Sequence, residues 1–417
     1  MAAPLPSDEH GRHEGKAAAL SAIYHAIQPY VGHMSKVATI IPYGRQTVDD
    51  DDVAAVVSVL RSDWLTTGPA VERFEADICA YTGARYGVAV SNGTAALHAA
   101  MFALKIGPGD EVIVTPMTFA ASSNCIIYQG GTPVFADVDQ DTLLLDPTAV
   151  ETAITPRTKA IIAMDYAGQP CDWDALRAIA DKYHLALVDD GCHALGASYR
   201  GRKVGTLADI TIFSFHPVKH ITTGEGGMAV TNDQAFASRM RTFRGHGITT
   251  TASQREKLGA WFYEMTELGY NYRITDFQCA LGSAQLTKLD TWINRRTELA
   301  QTYDAVFAEQ TTIFPLKRRN DILHAYHLYV VRTPQRNAIF HHLRTNGIHA
   351  NVHYVPVHLH PYYQRVVGTH EGLCPVAEAA YKEILTLPLW PGIEIAECKK
   401  IGNCCCGVSQ YDFLSEH

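Results

Sequence analysis

A chain of 417 residues, 47% hydrophobic and 19% charged, is too long for one core, since single cores stop growing near roughly 250–300 residues; its length predicts two domains. A formal charge of −8 with a pI near 6.2 excludes a global basic field for nucleic acid or an anionic membrane, so any phosphate site must be local. No apolar run of about eighteen residues is present to span a bilayer, and ten scattered cysteines with no secretory segment before them read as reduced thiols in a cytoplasmic protein.

Residues 1–33 carry several His and Gly and read as a vector-derived or disordered leader, with Gly32-His33-Met34 as a cloning junction and Met34 as the native start. A native helix over Ala17–Ile27 is the alternative, on helical composition. Thr47 is expected to cap a helix with Asp49–Asp52 in its first turn and Val53, Val56, Val57 and Leu60 as its apolar face. Strand-like runs follow at Tyr86–Val90, Glu111–Thr115, Pro133–Val138, Ala160–Met164, Leu185–Asp189, Ile210–Phe215 and Gly227–Thr231, with helical stretches such as Val71–Tyr81 and Trp173–His184 between them. This alternation predicts an α/β fold, a mostly parallel central sheet with helices on both faces. The pattern changes after about Thr287. A long helix through Lys288–Phe307, a strand over His327–Arg332 and a helix over Arg336–Asn346 predict a smaller C-terminal α/β domain, giving a division into 34–287 and 288–417. The eight histidines between His324 and His360 are irregularly spaced and read as substrate contacts or packing, with no metal site; Cys404-Cys405-Cys406 likewise lacks metal-site spacing and reads as a partly buried structural run.

Four stretches carry chemistry. Ser91-Asn92-Gly93-Thr94 joins a strand to an alanine-rich helix whose N-terminal N–H groups suit a phosphate, with Gly93 allowing close approach and Thr94 adding a hydroxyl; capping by Ser91 or Thr94 gives the same geometry without a ligand. Glu111–Thr115 runs into a turn with Phe119, either a core residue or a ring stacked on a bound ring. Leu185–Asp189 runs into Asp190 and His193, which puts a carboxylate at the sheet's active edge. Ser214-Phe-His-Pro-Val-Lys219 follows another strand and enters a glycine- and hydroxyl-rich loop, the place for a Schiff-base lysine. A solvated turn lysine and a capping Asp pair are the ordinary alternatives for the last two. Together the four fit pyridoxal 5′-phosphate, whose ring nitrogen needs a carboxylate partner such as Asp190 to stay protonated.

In this order and spacing, with Ile41-Pro-Tyr43-Gly, Trp64-Leu-Thr-Thr-Gly68, Arg244-Gly-His246-Gly, Gly269-Tyr-Asn271-Tyr-Arg273 and Val352-His353-Tyr-Val-Pro356, the chain resembles the DegT/DnrJ/EryC1/StrS sugar aminotransferases over about Ile41–Trp390. The resemblance implies a fold type I pyridoxal-phosphate enzyme, with residues 34–287 as its cofactor domain. Lys219 would hold the cofactor and then shuttle protons. Ser214 would bind phosphate with Gly93 and Thr94, and His193 would lie at the ring's O3′ side. Asn271 would reach the phosphate in a neighbouring subunit, which implies a homodimer with shared sites. The phrases around Asp165, Ser214 and His327 look most like the pseudaminic acid branch. They imply L-glutamate as donor and UDP-2-acetamido-2,6-dideoxy-β-L-arabino-hex-4-ulose as acceptor, aminated at C4. Tyr43, Asp63, Trp64, Leu65, Thr66, Tyr326, His327, Leu328 and Tyr329 match that branch's nucleotide-sugar pocket. His220 departs from the Asn that many members carry after the lysine.

Other readings differ in definable ways. A C4 aminotransferase for a D-xylo UDP-4-keto sugar or a dTDP-keto sugar would share every motif. A family dehydratase would carry histidine in place of Lys219. A pyridoxal-phosphate-binding regulator would bring a DNA-binding module, for which there is neither a basic helix-turn-helix stretch nor spare length. A cysteine desulfurase would need a nucleophilic cysteine, and no cysteine is marked by its context.

Overall fold

The computed structural model describes residues 40–250, 255 and 259–408, so the leader expected over 1–33, its junction at Met34 and the alternative helix at 17–27 lie outside the described residues. The predicted apolar runs become strands in chain order: β1 (Tyr86–Val90), β2 (Glu111–Val114), β3 (Thr132–Phe135), β4 (Thr158–Met164), β5 (Ala186–Asp190), the short β6 (Ser198–Tyr199) and β7 (Arg202–Lys203), then β8 (Ile210–Ser214) and β9 (Gly227–Thr231). Seven of them form one sheet in the order β1-β9-β8-β5-β4-β2-β3. From β8 to β3 all neighbours are parallel, and β9 runs antiparallel to both β1 and β8. Every residue of β2 and β9 is buried, which is why Val112–Val114 and Met228–Val230 are unbroken apolar runs that do not alternate: a sheet covered on both faces has no wet side.

Parallel strands deliver their carboxyl ends to one edge. Residues at or just past the ends of β4, β5 and β8 therefore converge, although Asp165, Asp190 and Lys219 are separated widely in sequence. The crossover order brings β5 beside β8, with Asp190 in register with Ile212.

The first helix corrects one expectation. It spans Asp50–Leu60 (α1), and its N-cap is Asp49, in a capping box with Asp52; Thr47 does not cap it. Val53 and Leu60 are exposed while Asp52 is buried, because the Asp52 carboxylate receives Gln285 Nε2 at 2.6 Å and Lys288 Nζ at 2.9 Å. Here a buried ion pair, invisible to periodicity, sets the helix face. The second helix, α2 (Pro69–Thr82), starts on a proline and ends at Gly83 in the left-handed region.

From Pro42 onward the described residues form one compact unit. Past the Asp276–Leu286 helix, the long helix Leu289–Phe307 leads into β10 (Phe314–Pro315), β11 (Ile322–Leu323), β12 (Tyr329–Arg332) and β13 (Ile384–Leu387). β10, β12 and β13 make an antiparallel sheet, whereas β11 pairs with β6. The segment that precedes β12 docks at a left-handed pair, Ala167 and Gly168. Ala325 N–H donates to the Gly168 carbonyl at 2.8 Å and Leu328 N–H to the Ala167 carbonyl at 3.1 Å. A Cβ on Gly168 would stand 2.8 Å from Tyr326 N and 3.0 Å from His327 N, so only glycine allows this approach. The contact fixes where residues 325–328 lie. Among the described residues, no helix is long and apolar enough to cross a membrane.

Candidate active site

Lys219 sits where β8 gives way to a loop folded on itself: Phe215 N–H donates to Gly226 O at 2.9 Å, Thr223 N–H to Phe215 O at 3.0 Å and Lys219 N–H to His216 O at 2.9 Å. The side chain is half-buried. Burial lowers its pKa below the ordinary lysine value against the opposing pull of Cys192 and Asp190, which raises the share of free amine. His220, the departure from the family pattern, is buried and makes a 3.0 Å hydrogen bond through Nε2 to the Ala325 carbonyl. It ties the lysine loop to the segment held by Gly168.

Asp190 ends β5 and is 3% exposed. Its Oδ2 accepts the Ser122 hydroxyl at 2.5 Å and its Oδ1 the Cys192 N–H at 3.3 Å. Ser122 belongs to α4 (Ala121–Tyr128), the helix that follows α3 (Gly93–Ala103), and is met by Thr118 Oγ1 at 2.6 Å. Two further carboxyls lie close by. Burial, with some help from neighbouring carboxylates, pushes Asp165 up to about 7 and Asp189 well above the usual range. Neither Asp189 oxygen has a hydrogen-bond partner.

The third wall is the turn into α3. Asn92, not Ser91 or Thr94, is the N-cap, its side chain accepting Ala95 N–H at 2.8 Å. The N–H groups of Gly93 and Thr94 precede the first intrahelical bond and point out of the helix end. A Cβ on Gly93 would come within 3.0 Å of Ser214 Cβ and 3.3 Å of Cys192 Sγ, so the absence of a side chain keeps a small cradle open beside the Ser214 hydroxyl.

These walls enclose a cavity of 880 Å³. Among the residues expected to act, Tyr43, Gly93, Thr94, Phe119, Asp190, His193, Ser214, Lys219 and His327 line it. Phe119 is 62% exposed, a ring presented to open space and not a core residue. The set fits pyridoxal 5′-phosphate part by part: an amine for the aldehyde, a buried carboxylate for the ring nitrogen, an aromatic face, and a helix N-terminus with a hydroxyl for the phosphate. His193 is fully buried and held well below the usual imidazole range by desolvation, then by Lys219. It is neutral, and its Nε2 shares a 3.0 Å hydrogen bond with the Tyr354 hydroxyl.

Other expected residues lie elsewhere. Asp63, Trp64 and Leu65 are exposed and apart from the cavity, and Thr66 borders a separate 370 Å³ cleft with Arg241, Arg244, His246 and Arg273. Tyr326, Leu328 and Tyr329 are buried around a different, much smaller cavity. Tyr326 Oη receives Arg318 and Tyr329 Oη donates to Asp304 at 2.8 Å, so within this chain only His327 of that quartet reaches Lys219's cavity. The physical reason is local. The left-handed residue Tyr326 (φ 51°) and the bend at His327 break strand alternation before β12 begins at Tyr329, so His327 leaves the chain on a different side from the other three. Asn271 is exposed, bridged through its backbone to Gly245, and does not line this chain's cavity, whereas Tyr272 does.

Sequence reasoning did not single out Ser122, Met164, Tyr272 or Tyr354. Ser122 and Met164 carry no local signal, being placed by strand crossover. Tyr272 and Tyr354 lie within the Gly269–Arg273 and Val352–Pro356 stretches, and a tyrosine inside such a stretch is the available clue. The histidines between His324 and His360 scatter over several elements, and no cluster that could hold a metal ion occurs among the described residues. Cys404–Cys406 close the Ile395–Cys406 helix, with Cys405 buried and its neighbours half-buried.

Comparison with known proteins agrees with this geometry. The model of the DegT/DnrJ/EryC1/StrS aminotransferase family matches residues 46–405. The spore coat polysaccharide biosynthesis protein SpsC of Bacillus subtilis is 40% identical over 361 residues, 85% of this chain and 93% of its own length. Among solved structures, the putative sugar aminotransferase Spr1654 of Streptococcus pneumoniae in its PMP form superposes with a TM-score of 0.83 at 33% identity, over 88% of this chain and 98% of that one. Helicobacter pylori PseC, an aminotransferase of pseudaminic acid biosynthesis, gives 0.82 at 32% identity with the same coverage.

Proposed function

This chain belongs to the DegT/DnrJ/EryC1/StrS aminotransferase family, a pyridoxal-phosphate-dependent group, and from that premise we propose that it moves the amino group of L-glutamate to C4 of UDP-2-acetamido-2,6-dideoxy-β-L-arabino-hex-4-ulose. The observation that carries the transferase chemistry is the convergence of Lys219, Asp190 and the α3 N-terminus on one 880 Å³ cavity. The sugar rests on the branch-like phrases around Asp165, Ser214 and His327 and on the likeness to PseC.

Bound between these walls, the cofactor supplies an electron sink for breaking and making a C–H bond. The protein's residues do the rest. Lys219, its amine pKa lowered by burial, would be the residue that anchors the cofactor's aldehyde end, and its amine is placed to take and return a proton at the reacting carbon. Asp190 would accept the hydrogen bond of a protonated ring nitrogen. Gly93, Thr94 and Ser214 would hold the phosphate end, Phe119 would offer an aromatic face to the ring, and neutral His193, hydrogen-bonded to Tyr354, would serve the phenolic side. His327 and Tyr43 line the part of the cavity left for the sugar.

The reading includes a homodimer with shared sites, in which Asn271 and Arg273 serve the partner's cavity. Its support is exposure: Trp261 is 86%, Met265 64% and Leu268 74% exposed, a run of large apolar side chains next to Asn271. Thr66 and the Arg273-lined cleft would then face the same shared groove.

The test offers L-arabino and D-xylo UDP-4-keto sugars, and a dTDP-keto sugar, side by side with L-glutamate, with mass spectrometry reporting amino-sugar formation. The two UDP ketones differ only in substituents held by polar contacts, where discrimination is large if those contacts exist. A higher kcat/KM on the L-arabino ketone is expected. Preference for the D-xylo ketone or the dTDP-sugar overturns the sugar assignment and leaves the transferase class standing.

A further inference from the structure

Three carboxyls crowd the place where one negative charge is wanted. Asp190 ends β5, Asp189 precedes it, and Asp165 follows β4, with Asp165 N–H donating to the Asp190 carbonyl at 3.3 Å. All three are nearly or fully buried. Two charges this close would repel across a poorly screened interior, so the cluster can hold little more than one. Which carboxyl keeps it is decided by hydrogen bonds to the ionised form.

The three are not equally provided. Asp189 has no partner on either oxygen. Asp165 accepts Cys171 N–H at 2.8 Å and Trp173 Nε1–H at 3.1 Å, both on Oδ1, and its Oδ2 is bare. Asp190 alone has a donor on each oxygen, and its shortest bond, 2.5 Å, comes from Ser122. Ser122 is 0% exposed, does not line the cavity, and has its oxygen met by Thr118 Oγ1 at 2.6 Å. With the Ser122 hydrogen committed to Asp190, the one Thr118 hydroxyl hydrogen has two acceptors in reach, Ser122 Oγ at 2.6 Å and Met164 Sδ at 2.8 Å; the hydroxyl oxygen is the stronger acceptor, so Thr118 donates into Ser122.

We propose that Ser122, aligned by Thr118, is the positioning residue that localises the cluster's negative charge on Asp190 and so aims it at the cofactor's ring nitrogen. The inference rests on the cofactor reading above, and it assigns a role to residues outside the cavity. Without the Ser122 donor, Asp190 loses its advantage over Asp165, whose two N–H donors remain. The charge then spreads toward β4, away from the ring. The titratable groups facing Asp190 are Asp165 and Asp189 from the strand ends, Cys125 from α4, Cys192 from the following turn, Lys219 from the β8 loop and Tyr354 from the C-terminal part. The thiols and the phenol have pKa values raised by burial and stay neutral, so the competition is among carboxylates.

The experiment measures pyridoxal 5′-phosphate binding to the apoprotein, and the pH titration of the bound chromophore's absorbance, in wild type, Ser122→Ala, Ser122→Thr, Thr118→Val, Asp190→Asn and the Ser122→Ala/Asp190→Asn double variant. Loss of a hydrogen bond to a charged acceptor predicts about ten-fold weaker cofactor binding in Ser122→Ala and a shifted absorbance titration. Thr118→Val should show a smaller change of the same sign, and Ser122→Thr should stay within about three-fold of wild type, since it keeps the hydroxyl. In the Asp190→Asn background, Ser122→Ala should cost nothing more, because a residue acting through Asp190 has nothing left to act on. Equal losses in both backgrounds overturn the proposal. So does a Ser122→Ala protein that binds and titrates as wild type does. If Ser122→Ala does not fold, the Thr and Thr118 variants decide alone: it stands only if Thr118→Val shifts the titration while Ser122→Thr does not. Wild-type apoprotein that takes up no cofactor defeats the cofactor reading itself, an outcome separate from failure in the variants.

Discussion

The cofactor wall and the outer pocket are built from the same chain by different means. Around Lys219, each functional residue stands at or just past the carboxyl end of a largely apolar strand, and the sheet carries the local pattern straight to one edge: Asp190 at the end of β5, Lys219 after β8, Gly93 after β1. In the outer pocket, residues 63–66 and 326–329 come from loops whose positions depend on distant partners, the Thr66–Thr275 bridge in one case and the Gly168 turn in the other. A motif at a strand end can be placed from its own neighbourhood. A motif in a loop needs the rest of the fold, and here adjacent residues diverge: of Tyr326, His327, Leu328 and Tyr329, only His327 enters the cavity.

The sharpest way to break the comparison is at its best-placed residue. Lys219→Ala should reduce turnover by at least about a thousand-fold, because it removes both the nucleophile and the proton carrier. Borohydride treatment of the wild-type holoenzyme should leave a pyridoxyl group on Lys219, found by peptide mapping. Residual turnover near wild type, or a label on another lysine, would show that strand-end reasoning failed where it was strongest.

Next in size is the mixing experiment. If Asn271 serves the neighbouring cavity, Lys219→Ala and Asn271→Ala proteins, each poor alone, should recover about a quarter of wild-type activity after subunit exchange: half of the dimers are mixed, and one of their two sites holds both residues. No recovery under verified exchange would confine Asn271 to its own subunit and leave the exposed apolar run at 261–268 without that partner.

How much was legible follows the same division. The strand order was not, since crossover connections leave no local trace, but the runs and their ends were, because a buried parallel strand must be apolar and must stop abruptly. Asp190, His193, Ser214 and Lys219 were readable at those ends, and all line one cavity. The caps were misplaced by one or two residues: Asp49 and Asn92 took the positions expected of Thr47 and of Ser91 or Thr94, since several adjacent side chains compete for one set of orphan N–H groups and backbone geometry decides. Ser122 was not readable at all. Its meaning arises only when α4 is laid against β5.

A pH measurement tests the buried carboxyls behind the wall. Asp165 has a native pKa of about 7 against an ordinary value of 3.8, with burial the main cause. The native state therefore binds more protons than the unfolded chain between those values. Stability is favoured below about pH 4 and falls as pH rises toward 7, by a few kcal/mol for the full shift. Asp165→Asn keeps an oxygen to accept Cys171 N–H and Trp173 Nε1–H and cannot ionise. Its stability relative to wild type, from urea unfolding, should rise between pH 4 and 7 and level off above. A flat difference would mean that Asp165 does not carry the proton.

The smallest effect separates the outer quartet. Tyr329 Oη donates to Asp304 Oδ1 at 2.8 Å, and Asp304 also pairs with Arg318 at 2.9 Å. Tyr329→Phe removes one donor from a carboxylate that keeps another, a loss of about 1 kcal/mol in stability. The ring stays to stack on Tyr303, 4.7 Å between centroids. KM for the sugar should not move, because the hydroxyl faces Asp304 and not the cavity with Lys219. His327→Ala, on the cavity wall, should raise KM for the sugar by about ten-fold with a smaller change in stability than a core truncation gives. If instead Tyr329→Phe changes KM and His327→Ala does not, the division of this quartet between framework and pocket is reversed, and the face that Tyr329 presents is the one that meets the substrate.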